Sequence, residues 1–286
     1  MKGQKPQLHE VAGEIAGSLG FCNLNFEGSG SYKETYSVTN PKGQRLALKI
    51  SYPGKCSLSR TEREIHTLLR CDFISICKLY DFKSFHSSKG LQYYYALEEF
   101  LDGGTLSEKI ASGSLTTEVI RRYAISLIQA IEYLKNLNVV HRDIKPDNIM
   151  FRSTSPEPVL VDFNIVRDLS EYSLTPTWAG QGPGTPYFSA PEQLNNEKNL
   201  IDWRTDQFSL GIVIGMCLTG QHPFQNARMN DADAVVAIAG RKPLDNDFRL
   251  KIERLGFKNI IEMLKPWPIQ RFQSTQALLD SFKSGG

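Results

Sequence analysis

We predict an α+β protein with two lobes: a small lobe built on an antiparallel β-sheet with one key helix, then a larger, mainly helical lobe. Two observations predict this class. The first third of the chain reads as strands separated by turns, and after Gly104 the apolar residues recur with the period of helices. The 286 residues suffice for two packed lobes around a substantial core. The predicted bounds are 1–20 for an N-terminal extension, 21–101 for the small lobe and 102–284 for the large lobe.

The small lobe is predicted from short strand-like runs and one helical run. Residues 21–50 read as three strands with turns at 28–31 and 40–43. Residues 59–70 have the apolar spacing of a helix, and residues 92–101 read as a further strand. Residues 8–19 predict a short helix that packs on the small lobe, with a regulatory arm as the alternative.

The large lobe begins with a long amphipathic helix over residues 116–138, which Thr116 is placed to cap. Its apolar face is formed by Ile120, Ala124, Leu127, Ile131 and Leu134. Residues 158–166 read as a strand, residues 168–186 as a polar loop rich in Gly and Pro, and the remainder as mostly helical.

Composition excludes several classes of protein. A net charge of +2 argues against nucleic acid or a membrane surface as a partner. The longest apolar run, 210–218, falls short of the roughly 20 residues of a membrane-spanning helix. Glu10 and Glu14 disfavour a secretory signal. Five cysteines without a C-x-x-C spacing indicate reduced thiols in a cytoplasmic protein rather than a zinc site.

The stretch "NVVHRDIKPDNIMF", residues 138–151, concentrates charge between apolar flanks. Charges held beside buried residues are costly unless each has a partner. The stretch therefore predicts a functional site. Its polar residues are His141, Arg142, Asp143, Lys145, Asp147 and Asn148.

Four further motifs occur around this stretch in a fixed order. "GSGSYKETY" is a Gly-rich turn between two strands, a type of loop whose amides cradle phosphates, and "LALK" ends at Lys49. "DFN" begins at Asp162, and "GTPYFSAPE" covers 184–192. Alone, a Gly-rich turn or a lysine at a strand end is commonplace, whereas the joint order and spacing are specific.

With these motifs the chain resembles the eukaryotic-type protein kinases, over residues 21–282. "KPDN" after "HRD", with "GTPYFSAPE", is similar to the serine/threonine branch. The resemblance implies a two-lobed protein-kinase-like fold, ATP and Mg²⁺ as cofactors and protein substrates. It also implies phosphoryl transfer, in which a protein positions groups and compensates charge. It leaves the oligomeric state open.

The resemblance implies a role for each catalytic residue. Asp143 is the expected base for an incoming hydroxyl, and Lys145 steadies the transferred phosphoryl group. Lys49 bridges the α and β phosphates. Asn148 and Asp162 are the expected Mg²⁺ ligands, since Mg²⁺ prefers hard oxygen atoms.

The partner expected for Lys49 is a glutamate of the following helix. Two glutamates are available there. Glu64 has Leu68 one turn later, which fits the family pattern, whereas Glu62 has His66. We therefore choose Glu64.

The remaining ATP contacts are also implied by the family pattern. Gly28 and Gly30 approach the phosphates, and Ala47 and Met150 pack on the faces of adenine. The resemblance places adenine between the lobes.

The hinge that binds adenine is placed by an ungapped alignment of "ALEEFLDGGTL". The backbones of Glu99 and Leu101 would hydrogen-bond adenine, and Glu98 would be the gatekeeper, an unusual residue at that position. A slip of one residue in register would make Leu97 the gatekeeper.

Supporting roles follow in the same way. Glu192 should pair with Arg271, and Asp206 should brace the backbone of the catalytic loop. His141 and Phe163 should pack together, in a stack completed by Leu68 and Leu79. Arg142 would pair with a phosphorylated activation loop, and Thr185 would contact Asp143. The candidate phosphorylation sites are Ser170, Ser173, Thr175 and Thr177.

Three departures from the family pattern bear on activity. Lys33 replaces the third glycine of the phosphate loop and loses backbone freedom there, and Thr35 replaces a valine. Asn164 replaces the glycine after "DF". After glycine, asparagine is the residue that best tolerates a left-handed backbone conformation, so we expect the local turn to be preserved. The acidic gatekeeper is the third departure.

Two other functions compete with an active kinase. A nucleotide-binding scaffold with little turnover would generally have lost Lys49, Asp143, Asn148 or Asp162, and all four are present. A kinase for a small molecule would generally lack the segment that ends at "APE".

Overall fold

The computed structural model describes residues 7–30, 33–53, 61–163, 185–226 and 228–283, without the side chains of 61–64 and 185. The described residues form two compact units, unit 1 up to Asp102 and unit 2 from Gly103 onward. The first carries a five-stranded antiparallel sheet, and the described part of the second is mainly helical. The predicted α+β class is confirmed.

Unit 1 is built on a sheet of strand order β1-β2-β3-β5-β4, in which every neighbouring pair is antiparallel. Its elements are α1 (His9–Ser18), β1 (Cys22–Ser29), β2 (Lys33–Thr39), β3 (Arg45–Ser51), α2 (Thr61–Leu69), β4 (Leu79–His86) and β5 (Gln92–Glu99).

Two features of this sheet differ from the sequence prediction. β1 continues to Ser29, since Gly28 pairs with Thr35 and Ser29 with Glu34 where a turn was predicted. β4 was not predicted at all. A register shift between Leu79 and Asp81 interrupts its alternation, so the strand lacks the period of two that sequence reasoning looks for.

The predicted N-terminal helix is confirmed, and it packs on the sheet. Ile15 is fully buried in a core cluster with Tyr36. The segment before α1 is fixed by Glu34, a buried carboxylate that accepts the backbone N–H groups of Gln7 and Leu8 at 2.7 and 3.0 Å. Burial raises the pKa of Glu34, but hydrogen bonds, two of them from tyrosine hydroxyls, outweigh it and hold the pKa below its usual range.

Unit 2 combines helices with a two-stranded sheet. Its elements are α3 (Leu106–Ala111), α4 (Thr117–Asn136), β6 (Ile149–Arg152), β7 (Ser155–Leu160), α5 (Pro191–Leu194), α6 (Trp203–Thr219), α7 (Asp231–Ala239), α8 (Asn246–Arg254), α9 (Lys258–Met263) and α10 (Thr275–Lys283).

The core of unit 2 forms around α4 and α6. The predicted apolar face of α4 is buried, and Thr116 caps the helix by accepting the N–H of Val119 at 3.3 Å. α6 is buried over most of its length because its apolar residues surround the helix. A Cβ at Gly215 would lie 2.7 Å from the ring of Phe248, so glycine is what permits α8 to pack this closely on α6. Within the described ranges, no helix is both long and apolar enough to cross a membrane.

Candidate active site

The charged loop between α4 and β6 is held by a carboxylate from α6. Asp206 accepts the backbone N–H groups of His141 and Arg142, each at 2.8 Å. The bracing role predicted for Asp206 is therefore confirmed. Burial raises the pKa of Asp206, and the neighbouring His141 and Arg142 partly offset this rise. Arg142 itself has a φ of 65°, a left-handed conformation that the two hydrogen bonds help to maintain.

His141 links this loop to the segment after β7. Its Nδ1 accepts the N–H of Asp143 at 3.3 Å, so its Nε2 carries the proton and donates to the carbonyl of Val161 at 3.0 Å. The rings of His141 and Phe163 lie 4.7 Å apart, which confirms their predicted packing. The proposed members from unit 1, Leu68 and Leu79, are both buried there.

Two side chains of the loop converge on the carboxylate of Asp143. Asp143 is only 8 % exposed, and the ammonium of Lys145 lies 3.1 Å from its Oδ2. The amide nitrogen of Asn148 donates to the same Oδ2 and to the carbonyl of Asp143, both at 2.9 Å. Each charge thus has the partner that burial requires. The carboxylate is therefore held in a fixed orientation within the loop.

The amide of Asn148 is oriented in a way that suits a hard cation. Its nitrogen is committed to Asp143, and its oxygen accepts no hydrogen bond from the described residues. Asp162 follows β7 with a φ of 69°, a left-handed conformation that is strained for a residue other than glycine. An amide oxygen and a carboxylate fit the preference of Mg²⁺ for a few protein oxygens completed by phosphate and water.

In unit 1, Lys49 of β3 has an acidic partner other than the one predicted from the sequence. The ammonium of Lys49 lies 2.6 Å from Oε2 of Glu98, and their side chains are 13 % and 10 % exposed. Glu98 pairs with Ala47 across the β3–β5 ladder, which places its side chain on the same face as those of Ala47 and Lys49. The side chain of Glu64, the predicted partner, lies outside the described residues.

The β3–β5 register also decides which of the two gatekeeper candidates, Glu98 or Leu97, lies on the same face as Lys49. Leu97 lies in the opposite, apolar core cluster. Glu98 is on the Lys49 face, where the thiol of Cys77 also lies 3.8 Å from its Oε2. Glu98, rather than Leu97, therefore lies on the face of the sheet that carries Lys49, as the ungapped alignment expects.

The two glycines at the end of β1 have room above their backbone. Neither has a positive φ, and a Cβ built on Gly28 would meet nothing described within 4 Å. On Gly30 the nearest described atom is the carbonyl oxygen of Lys33 at 4.0 Å. As far as the described residues go, neither backbone conformation nor packing requires glycine here, and the open backbone fits the close approach of a phosphate.

The residues assigned to adenine lie on strands or shortly after one. Glu99 ends β5 and donates its N–H to the carbonyl of Lys78 at 2.9 Å, and Leu101, two residues on, is buried. Ala47 is buried on β3. In unit 2, Met150 on β6 is partly buried and bridges to Thr105.

The segment after "GTPYF" is fixed by a buried ion pair. Arg271 forms a bidentate pair with Glu192 at 2.7 and 2.9 Å, and both side chains are 0 % exposed. This predicted pair is confirmed. Sequence reasoning missed Gln193, which donates to the carbonyl of Arg142 at 2.9 Å and so ties α5 to the charged loop.

Several predicted residues lie outside the described part of the chain. They are Asn164, Ser170, Ser173, Thr175 and Thr177, together with the side chains of Glu64 and Thr185. Arg142, the predicted partner of a phosphorylated loop, has a buried Nε with no hydrogen-bond partner among the described residues.

Comparisons with known proteins agree on one family. The family model described as "Protein kinase domain" matches residues 23–282. The probable serine/threonine-protein kinase PknB of Bifidobacterium longum is 30 % identical over 74 % of this chain and 31 % of its own length. Human serine/threonine-protein kinase ULK1 is 26 % identical over 76 % of this chain and 21 % of its own. Serine/threonine-protein kinase ppk25 of Schizosaccharomyces pombe is 34 % identical over 70 % of this chain and 46 % of its own. The chain thus spans less than half the length of each of these relatives.

Proposed function

The chain belongs to the protein kinase family, and from that premise we propose that it transfers the γ-phosphate of ATP to serine or threonine hydroxyls of protein substrates. Protein kinases generally use ATP with Mg²⁺. The observation that carries the proposal is the convergence of Lys145 and Asn148 on the buried carboxylate of Asp143.

Asp143 is the proposed catalytic base. Its carboxylate is anchored by Asn148 and by the loop that Asp206 holds, so its position is set before a substrate arrives. It would accept the hydroxyl proton as the oxygen attacks phosphorus. The phosphoryl group moves from the β-phosphate oxygen to the hydroxyl oxygen, and ADP leaves.

Lys145 and the cation ligands are proposed to compensate charge. The ammonium of Lys145, 3.1 Å from Asp143, is close enough to serve both the carboxylate and a phosphoryl oxygen. Asn148 and Asp162 would hold Mg²⁺, which neutralises phosphate charge when bound.

In unit 1, Gly28, Gly30 and Lys49 are proposed to bind the phosphates, and the backbones of Glu99 and Leu101 to bind adenine. The open space above the two glycines supports this assignment. Glu64 remains the proposed second partner of Lys49, and Ala47 and Met150 the proposed apolar contacts of the base.

One observation favours a second function. Lys49 is already engaged with Glu98 at 2.6 Å, and a lysine held by a buried carboxylate has less charge to offer a phosphate. A nucleotide-binding scaffold with little turnover is therefore the alternative.

The test is phosphate incorporation from γ-labelled ATP by the purified chain, with Mg²⁺ and with excess EDTA. Intact mass and site mapping would follow, on the chain and on an added general protein substrate. The proposal predicts Mg²⁺-dependent phosphoserine or phosphothreonine. ATP binding without incorporation would favour the scaffold, and neither binding nor incorporation would refute both.

A further inference from the structure

A basic cavity opens on unit 2, away from the charged loop. It has a volume of about 370 Å³ and is lined by the α7–α8 connection, by α8 and by the end of α9 with the segment that follows. Its cations are Arg241, Lys242, Arg249 and Lys265, and none of the described residues that line it is acidic.

Half of these cations have partners within the protein. Arg241 pairs with Glu197, and its guanidinium lies 3.7 Å from the ring centroid of Trp267. Arg249 pairs with Glu253 at 3.2 Å on the exposed side of α8.

The two lysines of the lining differ from the two arginines in their pairing. Lys242 is exposed and Lys265 is half-buried, and neither forms an ion pair with an acid in the described ranges. The lining thus holds four cations and no acid, and two of the cations pair with acids outside it, so the lining itself carries a net positive charge. Concave walls of one sign focus the electrostatic potential and attract ligands of the opposite sign.

Apart from Asn246, the rest of the lining is apolar. Leu244, Ile261 and Leu264 contribute to it, and Leu264 is only 2 % exposed. Trp267, stacked under Arg241 beside the cavity, is 42 % exposed. Exposed aromatic and arginine side chains are enriched at protein interfaces.

We propose that this cavity is a docking site for an acidic peptide segment of a partner protein, one that presents carboxylates on both sides of an apolar residue. The carboxylates would meet Lys242 and Lys265, and the apolar side chain would enter between them. The volume lies within the range of binding clefts, about 300–1,000 Å³.

The geometry favours a peptide over other anions. Free phosphate is best held by an unpaired arginine fork, and both arginines here already hold a glutamate. A flat bilayer surface would not follow the concave wall. This proposal is independent of phosphoryl transfer, because it concerns binding alone.

The test is fluorescence anisotropy of the full chain with a fluorescein-labelled peptide, Glu-Asp-Glu-Leu-Glu-Asp-Glu. Replacing Lys242 and Lys265 together by glutamate should weaken binding by about tenfold or more. The matched control reverses Lys258 and Lys283, which are exposed and outside the lining, and should stay within about twofold.

Two further arms separate this site from general charge attraction. Leu244→Ser, or serine in place of the peptide's leucine, should also weaken binding several-fold. Equal weakening by both charge-reversed pairs, equal binding of a Gln/Asn version of the peptide, or binding only to phosphatidylserine vesicles would overturn the proposal.

Discussion

Replacing Arg271 with methionine should strongly destabilise unit 2. The guanidinium has five N–H groups, and it makes five hydrogen bonds. Two go to Glu192, and three go to the carbonyls of Arg204, Lys265 and Pro266. Because both side chains of the pair are 0 % exposed, the substitution strands a charged carboxylate away from water.

The size of the effect follows from this burial. Removing one partner of a buried ion pair costs about 3–5 kcal/mol, because the other charge stays unpaired. For a chain of 286 residues this corresponds to a fall in melting temperature of about 5–8 °C.

The assay is thermal unfolding followed by circular dichroism, with two comparison variants. Arg249→Met breaks only an exposed pair, with side chains 59 % and 32 % exposed, and should change the unfolding free energy by less than about 1 kcal/mol. Arg271→Met combined with Glu192→Leu removes both charges and should recover much of the loss. An Arg271→Met chain that melts with the wild type would refute the reasoning.

Three further predictions concern stability and positioning. Burial lowers the pKa of His222 to about 4, so its contribution to stability is present above about pH 6.5 and is lost as pH falls toward 4, by up to about 3 kcal/mol. Urea unfolding at pH 7 and 4.5 should show a smaller drop for His222→Asn than for the wild type, and equal drops would contradict this. Asp206→Asn replaces one of the two oxygens that accept backbone N–H groups of the loop by a donor. It should lower kcat by about 100-fold and leave the Kd for ATP unchanged, because the loop loses its fixed position. An unchanged kcat would exclude the bracing role. Glu34→Gln leaves one acceptor oxygen for the four donors that now bind the carboxylate. It should lower the free energy of unfolding, measured in urea, by about 1–3 kcal/mol. An unchanged urea midpoint would contradict this hydrogen-bond network.

Local patterns were sufficient to predict part of this fold. The apolar spacing of α4 and the cap at Thr116 are properties of one segment, and both are confirmed. The pairs between Glu192 and Arg271 and between Asp206 and the loop could be predicted because the motifs that carry them are specific.

Features that depend on strand register or on distant contacts could not be predicted in this way. Glu98 faces Lys49 because of the β3–β5 register, and a shift of one residue would have placed Leu97 there instead. Gln193 reaches Arg142 across 51 positions of sequence, and no local signal marks it. The domain bounds, the cytoplasmic location and the individual site roles stay predictions.

The measurement that tests the central claim most directly is single-turnover phosphoryl transfer to a serine-containing protein substrate by the wild type and by Asp143→Asn, at saturating ATP and Mg²⁺. The substitution keeps the shape of the side chain and removes its basicity. A catalytic base contributes about 10²–10⁴-fold, so we expect a loss of that size, with the Kd for ATP within about twofold of the wild type. Equal rates in the two proteins, or no transfer by a wild type that binds ATP, would contradict the account.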